Sequence, residues 1–212
     1  MSTQKTDALV IRQVDFSETS KVATFFTRDF GKISAIAKGA RRLKGPFEAA
    51  IDLLAVCRIV FIRKSSGSLD ILTEAQLASR FRPAERQLLC LYGGYYIAEL
   101  LCELTEEYDP HPSLFDEALK ALQLLAEGQH ANQGIIRFEL AILREIGQLP
   151  AFDVCISCGN PVTNTDPYGF WVSQGGLICP RCRKESYDQK LIQPGTIRLL
   201  RALSEGDAAA DR

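Results

Sequence analysis

Two cysteine pairs constrain the fold of this chain more than any other feature of its sequence. Cys155 and Cys158 form the first pair, Cys179 and Cys182 form the second, and twenty residues lie between the pairs. Two thiolates separated by two residues can hold one side of a metal ion, and a second pair completes a tetrahedral site of four sulfurs. We therefore predict a Zn2+ ion bound by these four cysteines. Two disulfides or a redox-active pair are the alternatives that the spacing leaves open.

A site with four thiolate ligands has no free position for water, which indicates a structural rather than a catalytic metal. The other three cysteines, Cys57, Cys90 and Cys102, lie in apolar stretches, where thiols pack as small hydrophobic groups. Seven cysteines used in these ways fit a reducing compartment, so we expect a cytoplasmic protein. No stretch approaches about 18 consecutive apolar residues, and we expect no membrane span.

Charge is distributed unevenly along the chain. Residues 1–82 contain 14 Lys and Arg against 8 Asp and Glu, residues 83–150 contain 4 against 11, and residues 151–212 contain 7 against 7. A basic first segment suggests a polyanionic partner. A solvated surface without a partner is the alternative.

The first third of the chain alternates short apolar stretches with turn-forming residues, which is typical of strands. We predict five strands, at 7–14, 22–27, 33–37, 53–62 and 69–78. Five strands with no long helix among them favour the five-stranded OB barrel. In that fold, strands 2 and 3 and the loops that join strands 1–2 and 4–5 bind oligonucleotides.

Helical periodicity replaces the strand pattern after Pro83. We predict helices at 84–104, 113–127, 132–146 and 196–203, with Ser113 as the N-cap of the second helix. The predicted fold class is therefore α+β with several domains. These are an OB barrel at 1–80, a helical bundle at 81–150 plus 191–212, and a zinc-ribbon-like insertion with four cysteines at 151–190, with short strands at 168–173 and 175–178.

A basic cluster follows the third predicted strand. Lys38, Arg41, Arg42 and Lys44 place four cations within seven residues, between glycines that leave the backbone free to approach a ligand. Arginine guanidinium groups match the geometry of phosphates, and lysine adds positive charge. We predict that this cluster binds nucleic acid; a loop that only aids solubility is the alternative.

Further cations lie near the two loops that bind nucleic acid in OB barrels. Arg63 and Lys64 lie in the predicted loop between strands 4 and 5, and Lys21 and Arg12 add charge near the first loop. We predict that Lys21, Arg63 and Lys64 join the basic cluster in binding nucleic acid.

The sequence offers little support for an enzyme. Its only histidines, His111 and His130, belong to no zinc-protease or deaminase motif. It also lacks a phosphate-binding P-loop and a nucleophile elbow. We therefore expect a protein that is not an enzyme.

Taken in order, the motifs resemble those of the RecO family of bacterial DNA repair and recombination proteins. The two cysteine pairs match the zinc module that many members of the family carry. The other matching segments are 16–20, 26–27, 31–32 and 37–41 near the N-terminus, and 96–101, 137–143 and 147–150 in the helical part.

The resemblance implies an OB domain that binds single- and double-stranded DNA without strong sequence preference. It implies a recombination mediator that acts with RecR to load RecA onto DNA coated by single-stranded DNA-binding protein (SSB), and that anneals complementary strands at the bacterial nucleoid. Lys38, Arg41 and Arg42 match DNA contacts of the family by position, and Lys44 matches one by charge. Arg137 matches a position that could bind the C-terminal tail of SSB, or could form an internal salt bridge.

Members of this family usually continue past the zinc module with more helix and a basic terminal segment. We therefore expect part of the helical domain to be missing from this chain. The alternative to a DNA-binding mediator is a non-enzymatic interaction scaffold with a structural zinc module, whose acidic helices bind partner proteins. An enzyme that uses zinc is a third possibility, and it would require an open coordination position.

Overall fold

The structure is a computed structural model that describes residues 2–41, 47, 50–64, 69–85, 87–163 and 165–204. The chain forms two compact units, Met1–Phe138 and Glu139–Arg212. The division into three domains stays a prediction. None of the helices in the described residues combines the length and the hydropathy that crossing a membrane requires.

The first unit begins with a closed barrel of five strands, which confirms the predicted OB fold. The strand order is β1-β2-β3-β5-β4, and all pairs are antiparallel except β3 with β5. The strands are β1 Ser2–Asp15, β2 Lys21–Thr27, β3 Gly31–Ala37, β4 Ala55–Arg63 and β5 Asp70–Arg80.

The barrel closes because alternate side chains of each strand are apolar and face inward. Phe25, Ile33, Ile59 and Phe61 are among the fully buried residues of this core. Cys57 also lies in the core, and its burial, followed by the nearby Asp7 carboxylate, raises the pKa of its thiol to about 12. This cysteine therefore packs as an apolar group, as predicted.

Three helices follow in the first part of the chain and a fourth ends the described residues: α1 Leu88–Leu104, α2 Pro112–Glu127, α3 Ala131–Glu145 and α4 Pro194–Ser204. The predicted N-cap of α2 was wrong. His111 occupies that position and Pro112 begins the helix, so that Ser113 lies inside the first turn. Proline suits this place because its missing N–H would have had no partner there.

The buried face of α1 combines the small residues Gly93, Gly94 and Ala98 with the fully buried Ile97 and Leu101. A Cβ atom on Gly94 would lie 2.6 Å from Phe81 and 2.9 Å from Leu54, so glycine lets the helix approach the barrel. Other large side chains of the helix are exposed: Leu88 is 69% exposed and Tyr92 is 62% exposed.

The second unit contains a small sheet with the strand order β7-β6-β8, made of β6 Tyr168–Trp171, β7 Gly176–Ile178 and β8 Gln189–Ile192. β8 lies outside the strands predicted for this part of the chain. Tyr187 lies just before β8, and its ring stacks on that of Trp171 with the ring centroids 4.1 Å apart. In the same unit the Arg201 guanidinium donates hydrogen bonds of 2.6 and 3.0 Å to the Phe152 carbonyl and forms an ion pair with Asp153.

Candidate metal centre and nucleic-acid interface

The four cysteines of the two pairs come together in the second unit. The sulfurs of Cys155, Cys158, Cys179 and Cys182 lie within 4.8 Å of one another, and those of Cys158 and Cys179 are 3.9 Å apart. Tetrahedral zinc with Zn–S bonds of about 2.3 Å separates its sulfurs by about 3.8 Å, whereas a disulfide joins them at about 2.05 Å. The predicted four-sulfur cluster is confirmed, and its donor set fits one metal ion.

Tight turns after the first cysteine of each pair produce this geometry. Gly159 has a positive φ of 72° and donates a hydrogen bond of 2.8 Å to the Cys155 carbonyl. In the second pair the Cys182 N–H donates to the Cys179 carbonyl at 3.0 Å. The Cys179 N–H also donates to the Cys155 sulfur at 3.3 Å, which links the two turns.

Hydrogen bonds within the cluster shift the pKa values of Cys155 and Cys182 in opposite directions. Burial raises the pKa of Cys155, but backbone N–H groups of Cys179, Cys158 and Ser157 outweigh it and bring that pKa to about 6. The pKa of Cys182 is raised to about 11, mainly by its hydrogen bond with the Cys179 sulfur. A bound divalent cation would stabilise all four thiolates, which is the charge state that a thiolate-bound metal requires.

The predicted DNA-binding cations that the structure describes form two groups, one where β2 begins and β3 ends and one where β4 ends. Lys38 is exposed immediately after β3, and Arg41 is exposed three residues later. The strand register pairs Lys21 with Ala37, so the start of β2 is beside the end of β3. Arg42 and Lys44 lie outside the described residues.

Arg41 is anchored to the loop between β1 and β2. Its backbone N–H donates to the Thr19 carbonyl at 3.1 Å, and its guanidinium donates to the Ser17 carbonyl at 2.8 Å. The Asp15 carboxylate lies 3.5 Å from the guanidinium and offsets part of its charge. Lys21 donates to the Gln13 amide oxygen at 3.0 Å.

The second group of cations lies where β4 ends. Arg63 is exposed, and its guanidinium carbon lies 3.8 Å above the centre of the Tyr108 ring. The backbone N–H of Lys64 donates to one carboxylate oxygen of Asp70 at 3.0 Å, and the Tyr108 hydroxyl donates to the other. Burial, followed by this bond to Asp70, raises the pKa of Tyr108. A cation held over an aromatic ring keeps a defined orientation.

Asp70 and Tyr108 were not found from the sequence. Asp70 is 1% exposed, although aspartate at a strand start usually belongs to a solvated turn. Tyr108 lies in the connection between α1 and α2 with a positive φ of 59°, and its N–H donates to the Lys32 carbonyl on β3 at 3.0 Å. No local signal indicates either partner, because 38 positions separate them.

The outward surface of β2 and β3, beside the first group of cations, carries hydroxyl and aliphatic side chains. Ala23, Phe25, Ile33 and Ala35 face the core, so the alternation of the strands turns the intervening side chains outward. The half-exposed outward side chains are Val22, Thr24, Ser34 and Ile36. This surface therefore offers hydroxyl and aliphatic groups, and no aromatic ring, to a ligand.

Arg137, the predicted partner-binding residue, lies half-buried on α3. Within the part of the chain that the structure describes, its guanidinium forms no ion pair. Whether it binds a partner stays a prediction.

Two family models match almost the whole chain: "Recombination protein O N terminal" over residues 1–81 and "Recombination protein O C terminal" over residues 85–211. The chain belongs to the RecO family. The names of the matching models and relatives refer to recombination and DNA repair, in agreement with the predicted class of function.

Curated RecO proteins show the same relationship over most of their length. DNA repair protein RecO of Rhodopirellula baltica is 46% identical over 177 residues, which cover 83% of this chain and 66% of that relative. The RecO of Syntrophus aciditrophicus is 30% identical, over 94% of this chain and 78% of the relative. The RecO of Halalkalibacterium halodurans is 31% identical, over 93% and 76%. The chain thus spans just under two thirds of its Rhodopirellula relative.

Proposed function

We propose that this chain is a non-enzymatic DNA-binding mediator of recombination in DNA repair. It would bind single- and double-stranded DNA, anneal complementary strands, and act with RecR to load RecA onto SSB-coated DNA in the bacterial cytoplasm at the nucleoid. The observation that carries the proposal is the pair of cation groups at strand ends of a closed OB barrel. Lys21, Lys38 and Arg41 lie where β2 begins and β3 ends, and Arg63 and Lys64 lie where β4 ends.

Phosphate contacts account best for this interface. Its cations lie in loops and at strand ends, while the half-exposed side chains described on β2 and β3 include no ring on which a base could stack. Such an interface neutralises phosphates and does not read bases, so binding should be insensitive to sequence and should weaken as salt rises.

Replacing Lys38 or Arg41 with alanine tests the proposal. Fluorescence anisotropy over a series of salt concentrations should show weaker DNA binding, with the log–log salt slope smaller by about 0.9 for each duplex phosphate that the variant no longer neutralises. Arg58→Ala is the matched control, since Arg58 is an exposed arginine in the middle of β4, outside both groups of cations, and is paired with Asp7. Equal slopes for the wild type and for both test variants would refute the proposed interface.

We further propose that the four cysteines bind Zn2+ as a structural ion. Four sulfurs complete a tetrahedral shell, so the metal would hold the turns of the second unit together and would activate no water. Metal analysis of the purified protein together with X-ray absorption should show one zinc with four sulfur neighbours. A nitrogen, oxygen or water ligand in that shell would contradict the structural assignment.

Arg137 is the proposed contact for the SSB tail, an acidic peptide that ends in a free carboxylate after an apolar residue. A guanidinium that makes no ion pair among the described residues is available to a carboxylate. Titration with a labelled tail peptide should show weaker binding to Arg137→Ala than to the wild type. Arg144→Ala, on the same helix, is the control.

A protein-interaction scaffold is the second candidate, and the exposed face of α1 favours it. Leu88, Tyr92 and Tyr95 are large apolar side chains that solvent reaches on one helix. Titration with oligonucleotides at low salt separates the two functions, because a scaffold would bind none of them.

A further inference from the structure

The loop between β1 and β2 exposes an aromatic ring beside the proposed DNA-binding cations. Phe16 is 60% exposed, and no other phenylalanine in the described part of the chain is as accessible. A ring of this size is normally buried in a protein of this kind, as Phe25, Phe26 and Phe61 are.

Hydrogen bonds within the loop fix the backbone that carries this ring. The N–H groups of Phe16 and Ser17 donate to the Ser20 carbonyl at 3.0 and 3.2 Å, and the Ser20 N–H donates to the Ser17 hydroxyl at 3.2 Å. A ligand that stacks on Phe16 therefore does not need to order the loop first, which lowers the entropy cost of binding.

A cation is attached to the same loop. The Arg41 guanidinium donates to the Ser17 carbonyl, one residue from Phe16, and the Arg41 backbone donates to Thr19. Asp15 faces that guanidinium at 3.5 Å and leaves part of its charge available. Ring and cation together fit a nucleotide, since the base can lie on the ring while its phosphate meets the guanidinium.

We propose that Phe16 stacks on an unpaired base and so makes the barrel favour single-stranded over double-stranded DNA. This inference rests on the proposed DNA-binding function and adds a preference to it. In a duplex the faces of the bases are covered by their neighbours, so only a strand with accessible bases can use the ring. The cations serve both forms of DNA, because both present phosphates.

Phe16→Ala separates stacking from charge when three probes of equal length are compared: an oligothymidine strand, a duplex, and a strand of abasic sugar-phosphates. Affinity for oligothymidine should fall at least about fivefold, which corresponds to the weaker end of base–aromatic stacking. Affinity for the duplex and the abasic strand should stay within about twofold, and the salt slope should not change. Leu88→Ala, which also removes an exposed apolar side chain, is the control.

A fluorescent residue reports the contact directly. The chain has one tryptophan, so Phe16→Trp in a Trp171→Phe background places a single tryptophan in the loop. Its emission should be quenched by oligothymidine and not by the abasic strand. Unquenched emission, or a loss of affinity that is equal for all three probes, would overturn the proposal.

These outcomes are distinct from failure of the proposed function. If the wild type binds none of the three probes, DNA binding itself is wrong. If the wild type binds and Arg41→Ala lowers the salt slope, but Phe16→Ala leaves oligothymidine affinity within about twofold, then only the stacking role is wrong.

Discussion

Removing the Tyr108 hydroxyl should destabilise the first unit, because that hydroxyl donates to a buried carboxylate. Asp70 is 1% exposed, and the hydrogen bonds described for its two oxygens come from the Lys64 N–H and the Tyr108 hydroxyl. Tyr108→Phe keeps the ring, and with it the Arg63 stacking contact, while it leaves one oxygen of Asp70 without that donor.

The expected loss follows from the charge and burial of the acceptor. A hydrogen bond to a charged group contributes about 1.5–3 kcal/mol, and a buried acceptor that loses its donor keeps its desolvation cost. We therefore expect Tyr108→Phe to lower the free energy of unfolding by about 2 kcal/mol. If Asp70 is first changed to asparagine, the bond is between neutral groups and removing the hydroxyl should cost only about 1 kcal/mol.

Urea denaturation followed by circular dichroism measures both losses, provided that the m-value, the slope of unfolding free energy against urea concentration, is the same for all variants. The wild type, the two single variants and the double variant form a cycle whose coupling energy should be about 1 kcal/mol. A loss below about 0.5 kcal/mol for Tyr108→Phe, or the same loss in the wild type and in the Asp70→Asn background, would refute the reasoning.

Gly31→Ala should lower the free energy of unfolding at least twice as much as Gly147→Ala. Both glycines have a positive φ, but only at Gly31 would the added Cβ lie 2.0 Å from a carbonyl oxygen, that of Asp109. Equal unfolding midpoints of the two variants in urea would contradict this. Folding raises the pKa of Tyr108, so its contribution to stability is complete below about pH 10, the pKa of an unfolded tyrosine, and is lost as pH rises further. The wild type should therefore lose more unfolding free energy than Tyr108→Phe above about pH 10, and parallel losses would exclude the linkage. Removing the metal with a chelator should abolish the protection of backbone amides in β6–β8 and should leave the amides of β1–β5 protected, as measured by hydrogen exchange. Loss of amide protection in β1–β5 would contradict a local role for the metal.

The barrel could be predicted because its strands follow local rules. β2 and β3 are rich in β-branched and aromatic residues and are joined at Gly31, so composition and turn agree. The four-sulfur cluster could be predicted for a similar reason, since the spacing within each pair fixes two ligands before any tertiary structure forms.

Other features depend on contacts that the sequence does not show. α1 is apolar around most of its circumference, so its period predicts a helix but not the face on which Gly94 approaches the barrel. β8 is short and contains Gln189 and Lys190, and it forms because β6 offers an edge to pair with. The pairing of Asp70 with Tyr108 joins a strand to a distant helix connection, which no local pattern records.

This last pairing makes the proposed DNA-binding edge part of a larger structure. A barrel cut near residue 81, where the N-terminal family model ends, would keep Arg63 and Lys64 but lose Tyr108. Asp70 would then lose one of the two donors described for it, and Arg63 would lose the ring that orients it. Since Tyr108 is also bonded to β3 through Lys32, the connection between α1 and α2 holds the base of the loop between β4 and β5. DNA affinity should therefore be measured on the whole chain, because the isolated barrel lacks a residue that shapes the interface.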